Sequence, residues 1–205
     1  MNKITLAGIV NSTLDFSHEV YGEKFYRFMI SVKRLSGTVD EIPCLVSEFI
    51  TRLIEPGEEI TIDGEIRNRN YDGADKKRHS RIYVFVKEIL PYEGKDINKV
   101  ELNGFICKET TYRETPLKRH ICDFLLAVNR KNFKSDYIPC IAWSRNAMRA
   151  SIFKISDNVE LTGRLQSREY TKKFEDGTEE IRTAYEVSAN RVRVIEDTEE
   201  KEEED

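Results

Sequence analysis

This 205-residue chain has no apolar run long enough to cross a membrane as a helix, which takes about 20 residues. Its first residues lack the charged and apolar regions of a secretory signal, so no export is expected. The four cysteines, Cys44, Cys107, Cys122 and Cys140, form no CxxC pair and no disulfide-scaffold spacing. A reducing, cytoplasmic setting follows. The three histidines, His18, His79 and His120, have no metal-ligand spacing, and there is no P-loop or Gly-rich phosphate motif. No metal, no other cofactor and no catalytic activity are therefore expected. Tryptophan occurs once, at Trp143.

What the chain does have is a repeat. Asn2-Lys3-Ile4-Thr5-Leu6-Ala7-Gly8 returns as Asn98-Lys99-Val100-Glu101-Leu102-Asn103-Gly104. Phe28-Met29-Ile30-Ser31-Val32 returns as Phe124-Leu125-Leu126-Ala127-Val128, and Ile42-Pro43-Cys44-Leu45 as Ile138-Pro139-Cys140-Ile141. All three share an offset of 96 residues, which then drifts by three, so that Gly64 answers Gly163 and Tyr71 answers Tyr170. A repeat of this length is a small domain with its own core rather than a solenoid unit. Cys44 and Cys140 hold the same repeat position inside apolar strands and are expected to be buried as small hydrophobes.

The domains expected are 1–95, 96–195 and a tail, 196–205. Charge is divided among them. Residues 1–97 hold 14 Lys and Arg against 16 Asp and Glu. Residues 98–195 hold 18 against 13, and residues 196–205 hold 1 against 8. A near-neutral domain is followed by a basic one and an acidic tail with almost nothing to bury, expected to be disordered. Such a tail either competes for a basic groove or only solubilises.

Each repeat reads as short β-branched and aromatic strands separated by turn signals, with one brief helix. In the second copy the strands are expected near 98–109, 120–130, 136–143, 157–170 and 181–195. A helix over 144–152 is capped by Ser144, with Ala147, Met148, Ser151 and Ile152 on one face. Ser47 holds the equivalent cap in the first copy. Three strands, a helix and two strands is the order of a five-stranded OB barrel. The expected fold class is all-β with short helices, two tandem OB barrels and the tail; a small sandwich is the structural alternative.

Period-two alternation sorts inward from outward side chains. On the fourth strand of copy two, Val159, Leu161, Gly163 and Leu165 point in, while Arg164, Gln166, Arg168 and Tyr170 point out. Copy one repeats this with Arg67, Arg69 and Tyr71. On the third strand Tyr137, Pro139, Ile141 and Trp143 share the outward parity. Aromatic rings beside arginines on a sheet suit stacking against unpaired bases. Phe133, in a loop with Arg130 and Lys131, and the hairpin with Lys172 and Lys173 add further basic and aromatic groups, as does Arg145 after the third strand. In copy one Glu41 and Ser47 replace Tyr137 and Trp143. Copy two is therefore expected to be the principal nucleic-acid surface. Copy one is expected to be degenerate and mainly structural, aided by the basic run Lys76-Lys77-Arg78.

The segments 98–104, 124–128 and Gly163-Arg164-Leu165-Gln166-Ser167-Arg168-Glu169-Tyr170, taken together, resemble bacterial single-stranded DNA-binding protein, SSB. The likeness covers nearly all of 98–195 and more faintly 2–90. It implies sequence-nonspecific binding of single-stranded DNA in replication, recombination or repair, by a cytoplasmic, nucleoid-associated protein. The positions it implies for stacking are Trp143, Tyr170, Tyr137 and Phe133. It also implies a homodimer, since family members bring four OB folds together, and replication or repair proteins as further partners. The family's tail ends in a hydrophobic tip with Pro-Phe last, whereas this one ends Glu204-Asp205. That points to a plasmid, phage or primosome type. The competing reading is an OB-fold assembly factor that docks proteins through Trp143 and Tyr137 and binds DNA or RNA weakly.

Overall fold

Alternating apolar side chains in strands of 9–16 residues close twice into a barrel. The computed structural model describes residues 1–51, 54–72, 78–174 and 177–195. In the first repeat the strands are β1 (Asn2–Val10), β2 (Asp15–Val20), β3 (Glu23–Lys33), β4 (Val39–Ser47), β5 (Glu59–Asp72) and β6 (Arg78–Pro91). In the second they are β7 (Ile97–Ile106), β8 (Thr111–Glu114), β9 (His120–Asn129), β10 (Ser135–Trp143), β11 (Asn158–Lys173) and β12 (Glu179–Val194), with α1 (Arg145–Ala150) after β10.

Pairing of β1 with both β3 and β5, and of β4 in parallel with β6, closes the first barrel in the order β1-β3-β4-β6-β5. The second closes identically as β7-β9-β10-β12-β11. This is the OB order, with one short outer strand, β2 or β8, added to each expected set of five. Gly64 and Gly163 sit where β5 and β11 shift register against their neighbours. A Cβ on Gly163 would lie 2.2 Å from the Ser188 carbonyl oxygen, so the barrel corner requires glycine there.

The inward residues form one connected core, including Ile4, Leu6, Phe28, Ile62, Leu102, Leu126 and Leu161. Each such side chain contributes about 1.5–3 kcal/mol on burial. Cys44 and Cys140 lie in that core, and burial pushes both thiols up.

The barrels are joined by antiparallel pairing of β1 with β7, so that twelve strands form one sheet. Ile4 pairs with Val100, the same position of the repeat, which places a local two-fold at the seam. Within its own barrel Asn2 exchanges two hydrogen bonds with the Ile66 backbone of β5, at 2.7 and 2.9 Å. Asn98 does the same with Leu165, at 2.7 and 2.9 Å.

Three local expectations need correction. Ser144 has φ 50° and makes no side-chain cap bond. Helix α1 buries Ala147 and Ala150 and leaves Met148 and Ile152 exposed, because only one helical turn reaches the barrel. After Ser47 the first copy makes only a turn among the described residues, closed by Thr51 N–H on the Ser47 carbonyl at 2.9 Å. The expectation of a disordered tail at 196–205 falls outside the described residues.

Candidate nucleic-acid interface

The hairpin between β9 and β10 begins at Arg130 and returns through Asp136, whose carboxylate is fully buried. A buried carboxylate needs a charged, hydrogen-bonding partner. Arg130 supplies both, its Nε donating to Asp136 Oδ2 at 2.6 Å and its Nη2 to Oδ1. These bonds hold the guanidinium above its ordinary pKa. Arg130 was expected to face nucleic acid; instead it neutralises a carboxylate at the seam. Arg34 and Asp40 repeat the arrangement, with Nε to Oδ2 at 2.7 Å.

Arg164 is also drawn to the seam. Its Nη2 donates to Gln166 at 3.3 Å, and its Nε is buried without a hydrogen-bond partner. Burial, then the nearby Arg34, lower its pKa. It stands on the outward parity, but it is not a free phosphate contact.

On the outer face of the second barrel, Tyr137 is 47% exposed and Trp143 half-buried, while Ile141 between them is covered. Phe133 is fully exposed at the hairpin tip with φ 61°, where the first copy has Gly37 at φ 87°. Lys131 and Arg145 are exposed nearby. Tyr170 is partly exposed, with the Arg168 guanidinium 5.9 Å from its ring centre. Arg168 Nε also lies 3.8 Å from Glu186. At the β11–β12 hairpin, Lys173 pairs with Glu179 at 2.8 Å and Lys172 approaches the Phe174 ring at 4.8 Å.

The first barrel has rings where the third-strand comparison found none. Strand register sets Phe25 opposite Ser47, and Ile121 opposite Trp143. One large aromatic therefore stands at this place in both barrels, carried by β3 in one and by β10 in the other. Phe85 on β6 lies 6.1 Å from Phe25, and His18 stacks on Phe25 at 5.1 Å. Arg67 lies over Phe85 at 3.7 Å and bonds Glu65 at 2.9 Å, so its guanidinium is a stacked platform. Beside these rings runs a groove of about 460 Å³ walled by Tyr83, Tyr71, Arg27, Arg69 and Arg81. The side chains of the run 76–78 lie outside the described residues.

Between the barrels lies another groove, of about 600 Å³. Tyr71 and Tyr170, equivalent in the repeat, both line it, as do Pro43 and Pro139. Arg81 brings positive charge to it, while Arg182 there is paired with Glu180 at 2.7 Å. Sequence reasoning missed Phe25, Tyr83, Phe85, Arg27 and Arg81. A lengthwise alignment carried through the fifth strand would have found the two aromatics on β6, since Val84 and Val187 pair equivalently with Cys44 and Cys140.

Comparison with known proteins bears directly on this arrangement. Residues 97–195 match the Single-strand binding protein family. The second barrel thus resembles that family along its whole length. Single-stranded DNA-binding protein 1 of Streptococcus pyogenes serotype M18 is 38% identical over 82 residues, covering 36% of this chain and 62% of that protein. Single-stranded DNA-binding protein A of Bacillus subtilis is 35% identical over 81 residues, covering 36% and 47%. The chain thus spans less than two thirds of the length of these relatives. The crystal structure of wild-type single-stranded DNA binding protein from Thermus aquaticus superposes with a TM-score of 0.75 at 22% identity, over 96% of this chain and 93% of that one. That likeness is one of fold, and it takes in both barrels. Among the candidate residues, Trp143, Tyr137, Phe133 and Tyr170 lie inside the family match. Phe25, Tyr83 and Phe85 lie outside it.

Proposed function

We propose that this protein binds single-stranded DNA without base readout, by stacking bases on exposed rings and pairing phosphates with arginine and lysine. The observation that carries this reading is the inter-barrel groove, where Tyr71 and Tyr170 stand together beside Arg81. Every base offers a π-face, so stacking tolerates any sequence. Trp143, Tyr137, Phe133, Lys131, Arg145, Arg168, Lys172 and Lys173 extend the surface over the second barrel, and Arg69 over the first. The family match of residues 97–195 supports DNA rather than a protein as the main partner. The setting proposed is replication, recombination or repair, on DNA in the cytoplasm. Two chains would bring four barrels together as a homodimer, and a monomer mass by sedimentation at micromolar concentration would contradict that assembly.

The test is titration with labelled oligo-dT at two salt concentrations, followed by anisotropy and by Trp143 emission. Binding that weakens steeply with salt is expected, since each phosphate contact releases counterion. Unchanged anisotropy at saturating oligonucleotide would overturn the proposal.

A further inference from the structure

Superposed through their strand registers, the two outer faces differ most at the centre. In the first barrel Arg27 stands opposite Leu45, Tyr83 opposite Arg67, and Phe85 opposite Glu65. The equivalent pairs in the second are Asp123 opposite Ile141, Glu186 opposite Gln166, and Ser188 opposite Arg164. A cation and two rings on one face are answered by two carboxylates and a hydroxyl on the other.

The neighbours sharpen the difference. In the second barrel Asp123 is paired with Arg113 at 2.8 Å, and Glu186 accepts from Gln166 at 2.9 Å and lies near Arg168. A phosphate crossing that centre meets carboxylates that already hold the local cations. In the first barrel Arg27, Arg69 and Arg81 wall an open groove beside the Tyr83 ring; its one carboxylate is Asp15, opposite Arg27, and none of the three arginines is in an ion pair among the described residues. That groove, at about 460 Å³, falls within the usual range of small-ligand sites, about 300–1,000 Å³. It adjoins a second groove lined by Phe25, Phe85 and Arg67. Leu45, Tyr83 and His18 border both, so the path between them is continuous.

We propose that an unpaired strand is seated across the centre of the first barrel, with bases on Phe25, Tyr83 and Phe85 and phosphates on Arg27, Arg69 and Arg81, and that Asp123 and Glu186 turn it toward the rim of the second. At that rim stand Trp143, Tyr137 and Phe133. This rests on the single-stranded DNA reading above, and it makes the copy without the family match the main seat of the strand. The net basic charge of residues 98–195 does not decide the matter, because Arg113, Arg130, Lys173 and Arg193 are already paired with carboxylates.

The experiment uses the full-length protein and fluorescein-labelled oligo-dT, with circular dichroism to verify folding. Tyr83→Ala is expected to weaken binding about 5- to 150-fold, the range for losing one stacked base. Trp143→Ala is expected to weaken it less. The double variant Asp123→Asn, Glu186→Gln is expected to bind several-fold tighter at low salt, with the gain vanishing at high salt. Should Tyr83→Ala fail to fold, exposed Arg81→Ala decides, with weaker binding and a smaller salt slope expected. Greater loss from Trp143→Ala than from the first-barrel variant, or unchanged affinity of the carboxylate variant, overturns this inference while leaving DNA binding intact. Failure of the unaltered protein to bind oligo-dT would instead remove both readings.

Discussion

Asp136 in the second barrel accepts the backbone N–H of Asn68 in the first at 2.8 Å. Asp40 in the first accepts the backbone N–H of Ser167 in the second at 2.9 Å, so each barrel satisfies a strand of the other. Asp136→Ala removes the partner of both Arg130 and that N–H. Breaking such a pair from one side is expected to cost about 3 kcal/mol. Urea denaturation measures this, and a loss under about 1 kcal/mol would show that the pair is incidental.

Phe133 holds a left-handed backbone conformation with its ring in solvent. Such a conformation costs a non-glycine residue about 1–2 kcal/mol, and an exposed ring returns nothing in the free protein. Phe133→Gly is expected to raise stability by about 1 kcal/mol while weakening oligo-dT binding. Thermal melts and anisotropy on one preparation test both signs, and unchanged affinity would make the ring a passive turn residue.

His18 titrates below its ordinary value of 6.5, through burial first and then Arg69 and Arg27. The unfolded chain therefore takes up the proton first. The stability contributed by neutral His18 is complete above about pH 6.5 and is lost as pH falls through the lower folded value. NMR titration should place the His18 midpoint below that of a free histidine. Bound oligonucleotide phosphate should raise that midpoint, because anions favour the cation. His18→Gln should flatten the decline in urea midpoint between pH 7.5 and 5.5.

Residues 196–205 carry eight carboxylates against one lysine. Their deletion is expected to tighten DNA binding at low salt, with the gain fading as screening shortens to about 8 Å at physiological ionic strength. Equal affinity of the shortened and full chains in low salt would leave the tail a solubilising role.

The barrel was legible because its signal is local. Alternation in β1, β4 and β5 set the inward side chains, and the repeat supplied each strand twice. The faces were less legible because they depend on what sits opposite. Tyr83 and Phe85 lie on β6, beyond a β5–β6 hairpin that is shorter than its β11–β12 counterpart, so the offset grows again and hides the equivalence of Val84 with Val187. Arg130 read as a loop cation because Asp136 is six residues away and faces it only after the hairpin closes. The same spacing in Arg34 and Asp40 was the available clue.

The β1–β7 seam has a further consequence. In an assembly of identical chains related by two-fold symmetry, any substitution changes both faces at once. Here the symmetry is local and lies within one polypeptide, with Ile4 set opposite Val100. One face can gain an arginine at position 27 while the other gains an aspartate at 123, with the joint between them untouched. The pairing also survives dilution, because its halves are covalently linked. The chain therefore has the geometry of a dimer and the freedom to assign different work to each half.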